Sequence, residues 1–195
     1  CIRDSTATVS VNVRNPNLSP IASASGTPTS GKEPLVVAFS SAGSADQEAD
    51  GSIVSRVWNF GDGTANSSAA NPSHTYAAAG SYIATLTVTD NDGATASATV
   101  AITVNANQSP TSVASADITS GQAPLLVSFS STGSGDPDGT FTRRWNFGDG
   151  TATSSAASPT HTFTTQGSYT VTLTITDDNG AIATSTIPME IGAPN

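Results

Sequence analysis

The chain has 195 residues and a formal net charge of −9, from 15 acidic and 6 basic side chains. That length suits one or two domains. A sequence pI near 4.2 argues against nucleic acid and anionic membrane surfaces as partners, since both are gripped by basic patches. No apolar run approaches the ~18 residues of a transmembrane helix. Ser and Thr together number 58, and Lys32 is the one lysine.

The single cysteine, Cys1, rules out an internal disulfide and a Cys-based zinc site. Three readings of it stay open: the lipid-bearing first residue of a mature lipoprotein, an intermolecular disulfide partner, or an introduced residue. No leader pattern of basic then apolar residues is present, so a signal peptide is expected to have been removed already.

In chain order, Thr6–Val13 alternates small polar residues with Val9, Val11 and Val13, the period of a strand. The next strand is predicted at Leu35–Ser41, with Phe39 pointing inward. Trp58-Asn59-Phe60-Gly61-Asp62-Gly63-Thr64 then brings a bulky core residue to a tight turn, and the Asp side chain is expected to cap that turn. A sugar-stacking role for the tryptophan is the less ordinary alternative. Tyr82, Ala84, Leu86 and Val88 alternate with Ser81, Ile83, Thr85, Thr87 and Thr89, so this strand has one buried and one threonine-covered face. Ser97–Val104 closes the series.

The series then repeats. Trp145-Asn146-Phe147-Gly148-Asp149-Gly150-Thr151 follows the first heptad by 87 positions, while Pro34-Leu35 and Pro124-Leu125 are 90 apart. The second copy has therefore lost three residues inside the Gln47–Val57 stretch. Its strands fall at Leu125–Ser131, Tyr169–Thr176 and Thr184–Ile191, the last interrupted by Pro188. Two modules are expected, residues 15–105 and 106–195. Thr6–Val13 resembles Ser97–Val104, so residues 1–14 read as an orphan last strand. It is either a remnant of an upstream module or a strand that adds to a neighbouring subunit. Short strands, turn signals and a buried Trp before a turn predict all-β, tandem immunoglobulin-like sandwiches without a disulfide.

The heptad, then Pro72-Ser73-His74-Thr75-Tyr76, then Gly80-Ser81-Tyr82, resembles the polycystic kidney disease (PKD) domain. The second copy repeats it as Pro159-Thr160-His161-Thr162-Phe163 and Gly167-Ser168-Tyr169. Asn59 and Asn146 stand where that family usually carries Asp. The resemblance implies a seven-stranded sandwich in a secreted or cell-surface protein of bacteria or archaea, used as a spacer or interaction module without catalysis. Its motif residues here are Trp58, Phe60, Asp62 and Tyr82, then Trp145, Phe147, Asp149 and Tyr169. Expected partners are other modules of a parent protein, neighbouring subunits, polysaccharide or extracellular protein.

Each histidine stands alone in its module, which favours a structural role over a catalytic or zinc-binding one. No nucleophile elbow or phosphate loop occurs. The acidic loops are more informative. Asp136-Pro137-Asp138-Gly139 offers two carboxylates at one turn, which suits a hard cation, although Asp-Gly turns also form without an ion. The family resemblance implies calcium at Asn107, Asp136, Asp138 and Asp177, and in the first module at Asn17, Asp46, Asp50 and Asp90. Bound there, calcium would stiffen the joint between the modules. A self-assembling filament, joined by strand addition of residues 6–13, is the alternative function.

Overall fold

The computed structural model describes residues 16–194. The strand expected at Thr6–Val13 lies outside the described residues. The chain divides into two compact units, with the boundary between Ala106 and Asn107.

The first unit contains seven strands: β1 (Ser25–Thr27), β2 (Ser30–Lys32), β3 (Leu35–Ser40), β4 (Ile53–Asn59), β5 (Ser73–Tyr76), β6 (Gly80–Asp90) and β7 (Thr95–Asn105). They form two sheets, ordered β1-β3-β5 and β2-β7-β6-β4. Only the β2–β7 pair is parallel; the other pairs are antiparallel. The second unit repeats this with β8 (Ser115–Ala116), β9 (Ser120–Gln122), β10 (Leu125–Ser130), β11 (Phe141–Asn146), β12 (Thr160–Phe163), β13 (Gly167–Asp177) and β14 (Ile182–Gly192). Its sheets run β12-β10-β8 and β11-β13-β14-β9.

Period-two alternation drives this arrangement. Ala84, Leu86 and Val88 on β6 are fully buried, as are Val171, Leu173 and Ile175 on β13, while their neighbours face solvent or the sheet surface. Each unit closes around its own core, with Trp58 and Trp145 at 0% exposure. That burial removes the sugar-stacking reading of both rings. The tryptophans sit on β4 and β11, which are edge strands and not central ones. Their outer edge is covered by a loop: Trp58 exchanges backbone hydrogen bonds with Ser67 (2.8 and 3.0 Å), and Trp145 with Ser154 (2.7 and 3.1 Å). A covered edge lets a large ring occupy an edge strand without exposing an open ladder.

Pro188 does not interrupt its strand, since β14 pairs with β13 from Ile182 through Ile191. Across β14, pairing with β9 begins only at Glu190, whose N–H donates to Thr119. By alternation the missing N–H of Pro188 points to that same side, beyond the end of β9, where no ladder bond is lost.

Candidate cation sites at the start of each module

The heptad turn sets the frame of each sandwich. Gly61 has φ +79°, and a Cβ there would lie 2.5 Å from the Ile83 carbonyl oxygen. Only glycine lets the turn approach β6 this closely. Asn59 Oδ1 accepts the Gly61 N–H (2.9 Å), and Asp62 Oδ1 accepts both the N–H (3.1 Å) and the hydroxyl (2.6 Å) of Thr64. The other Asp62 oxygen lies 2.7 Å from His74 Nε2. Burial pushes the Asp62 carboxyl up, but the Thr64 hydroxyl and His74 outweigh it and hold it below the usual carboxylate range.

His74 in turn stacks flat on Phe60 at 3.9 Å between ring centres and meets Tyr76 edge-on. The second module repeats the lock: Asp149 binds Thr151 and His161 (2.6 Å), and His161 stacks on Phe147. Both histidines are thus partnered structural residues. Their acid partner, twelve positions upstream, was not foreseen from sequence, although the twofold recurrence of Asp-Gly-Thr before His-Thr-aromatic carried the signal.

The acidic residues gather elsewhere, where the chain enters each module. In the second, Asn107 Nδ2 donates to Asp177 Oδ2 (2.8 Å) and the Gln108 N–H to Asp138 Oδ2 (3.1 Å). The Asp138 N–H reaches Asp136 Oδ1 at 3.4 Å. Asp177 is only 6% exposed, and its Oδ1 accepts the N–H groups of Asn179 and Ala181. The Asn107 amide, ahead of the effect of burial and of these backbone donors, holds its carboxyl below the ordinary value. Asp177 and Asp138 are thus each tied to the incoming 107–108 segment, with Asp136 beside Asp138, and the buried Asp138 Oδ1 meets no hydrogen-bond donor.

In the first module Asn17 Nδ2 reaches Asp90 Oδ1 at 3.4 Å. Asp90 is 1% exposed; its Oδ1 also takes the N–H groups of Asp92 and Ala94, while its Oδ2 is buried with no donor. Asp46 Oδ1 accepts the Glu48 N–H (3.2 Å). The Leu18 N–H donates to Glu48 Oε1, matching the Gln108–Asp138 bond at an offset of 90.

Glu48, and not Asp50, therefore stands where Asp138 stands in the second module. Asp50 is exposed, because the three extra residues follow Glu48 and carry Asp50 along the loop. Sequence reasoning missed Glu48 although Asp46-Gln47-Glu48 keeps the spacing of Asp136-Pro137-Asp138. The two carboxyls of this pair lie side by side: Glu48 holds Asp46 below its ordinary value, and Asp46 pushes Glu48 up. Glu48 Oε2 is also buried and meets no donor.

Among the described residues no three His, Cys, Asp or Glu side chains stand together as a ready metal centre. What each cluster does offer is hard oxygen: carboxylates, an asparagine amide and at least one buried oxygen without a donor. That chemistry fits calcium, which takes several oxygen ligands in flexible geometry.

The PKD domain family matches residues 17–104 and again residues 107–191. The pre-pro-metalloprotease PrtV of Vibrio cholerae is 31% identical over 145 residues, which is 74% of this chain and 15% of that protein. A microbial collagenase of Vibrio alginolyticus is 43% identical over 65 residues, 33% of this chain and 8% of that protein. The chain thus spans a small part of these relatives. The crystal structure of the PKD1 domain of Vibrio anguillarum Epp is 36% identical and covers 45% of this chain and 99% of its own, with a TM-score of 0.38. With both modules matched over nearly their whole length, the chain belongs to the PKD domain family.

Proposed function

We propose that the chain is a non-catalytic extracellular spacer whose two sandwiches each take a calcium ion at their leading segment. The observation that carries this is the pair of buried carboxylate oxygens, Asp90 Oδ2 and Asp138 Oδ1, that meet no donor. Such an oxygen costs free energy unless a proton donor or a cation compensates it. In the second module Asn107, Asp136, Asp138 and Asp177 would hold the ion. In the first, Asn17, Asp46, Glu48 and Asp90 would do so.

When bound, calcium supplies positive charge that neutralises the gathered carboxylates. The chain's own residues do the rest. Asn17 and Asn107 tie the incoming backbone to the late aspartates, and Glu48 and Asp138 hold the next amide. Loading would therefore fix the segment that leads into each module, which for Asn107 is the stretch just after β7. The extracellular setting is supported by the acidic, lysine-poor composition and by relatives that are much larger proteases and collagenases. A spacer role suits a family module that forms so small a part of them.

Light scattering on the full chain in millimolar calcium, with and without residues 1–14, tests the spacer reading. Both samples are expected to have the mass of one chain. Long particles that vanish with the deletion would replace the spacer by a filament built through the front strand.

A further inference from the structure

The exposed face of the second module's four-stranded sheet carries an open groove of about 570 Å³ beside β11. Its lining contains Arg143 and Arg144, six Ser or Thr residues from β11, β13 and the loop 153–155, and Ile182. None is acidic. In a chain of net charge −9 with six basic residues, two adjacent arginines form a local exception.

The pairing register explains the geometry. Arg144 lies opposite Thr174 and Thr142 opposite Thr176. Thr176 in turn lies opposite Ile182. These residues share one face because cross-strand partners point the same way. Trp145, next along β11, points into the core and fixes the exposed direction of Arg144. Among the described residues no ion pair engages the Arg144 guanidinium. Arg143 is held separately, its guanidinium carbon 4.5 Å from the centre of the Phe141 ring.

We infer that this groove binds an acidic polysaccharide, with Arg144 gripping a sugar carboxylate and the surrounding hydroxyls exchanging hydrogen bonds with the sugar ring. A guanidinium fork matches a carboxylate bidentately. Six hydroxyls, each both donor and acceptor, match a polyol. A peptide is the poorer fit. It would seek an open strand edge or apolar pockets, but Ser154 already occupies the edge of β11 at Trp145, and Ile182 is the one aliphatic residue in the lining.

The first module lacks the site. Val57 stands in place of Arg144 and Thr95 in place of Ile182, while Ile53, opposite Asp90 as Phe141 is opposite Asp177, takes the place of Phe141. The groove is thus a property of one module, and it is independent of the cation reading.

Nuclear magnetic resonance titration of the full chain tests this, using oligogalacturonate in calcium-free buffer at low salt. Shift changes are expected at residues 142–144 and 153–155 and not at 55–57. Arg144→Ala is expected to weaken binding at least tenfold, and Arg144→Lys to recover only part of it. Because Arg144 is exposed, the thermal midpoint of either variant should match the parent, which separates lost binding from lost fold. Fully methyl-esterified oligogalacturonate, with the same rings and no charge, should not bind. The inference fails if the parent shows no shifts, if Arg144→Ala binds as the parent does, or if polyglutamate perturbs the same residues equally well.

Discussion

The two modules share one fold but satisfy their buried polar groups at different places. In the first, the Tyr76 hydroxyl donates to the Phe60 carbonyl at 2.9 Å, and burial raises its pKa to about 12. The indole N–H of Trp58 is buried without a partner. In the second, Trp145 Nε1 donates to the Ala156 carbonyl at 3.1 Å, while Phe163 replaces the tyrosine and has no hydroxyl to place. Each core thus carries a satisfied polar anchor, on a different ring of the same aromatic cluster. The ring packing is common to both: Phe39 against Trp58 and Phe60, Phe129 against Trp145 and Phe147. Shape is held constant between the copies, and hydrogen bonding drifts around it.

The largest expected effect is one that should not distinguish the modules. Gly61→Ala and Gly148→Ala place a Cβ 2.5 Å from a backbone carbonyl at positive φ in each. Each should cost about 3 kcal/mol through backbone strain and the displaced strand. Calorimetric unfolding should show one module's transition falling while the other stays.

Next come substitutions that separate the modules. Tyr76→Phe removes the donor to the Phe60 carbonyl and should cost about 1–2 kcal/mol. The reciprocal Phe163→Tyr should be neutral or stabilising, because the Phe147 carbonyl offers the matching acceptor. Trp145→Phe should cost about 1 kcal/mol more than Trp58→Phe, since only Trp145 loses an indole hydrogen bond. Equal costs in denaturant unfolding would mean that the indole bond contributes nothing.

The smallest effect is acid sensitivity. Asp62 and Asp149 are held below their usual range, in each case by the threonine hydroxyl and the histidine against the opposing push of burial. A lowered folded pKa stabilises above the unfolded value of about 3.9 and loses that stabilisation as pH falls through the folded value. Thermal midpoints of the parent should therefore drop below about pH 4. Asp62→Asn with Asp149→Asn should be less stable at neutral pH and flatter in that acid range.

Much of this was legible in the sequence. Alternation located β6 to within a residue and β13 to within two residues at each end, because a half-buried sheet forces period two. The heptad announced its own turn, because its glycines can take the positive φ that the turn requires at Gly61 and Gly63. The partners of those turns were not legible. His74 finds Asp62 only once β5 lies across the turn, and nothing in a single module's spacing states that distance. In the second module the sequence pattern pointed to Asp136 and Asp138, and the Asp138 N–H does reach Asp136 Oδ1. In the first, the three-residue insertion shifted the reading to Asp50 when the backbone bond from Leu18 selects Glu48. Arg144 carried no signal until the register placed it among threonines on an open face.

The most direct test of the central claim is a calorimetric titration of calcium into the metal-stripped full chain, beside Asp138→Ala and Glu48→Gln. Two binding events are expected in the parent, with the second module's event lost in the first variant and the first module's weakened in the second. No heat from any of the three proteins, together with unfolding transitions unmoved by millimolar calcium, would contradict the account.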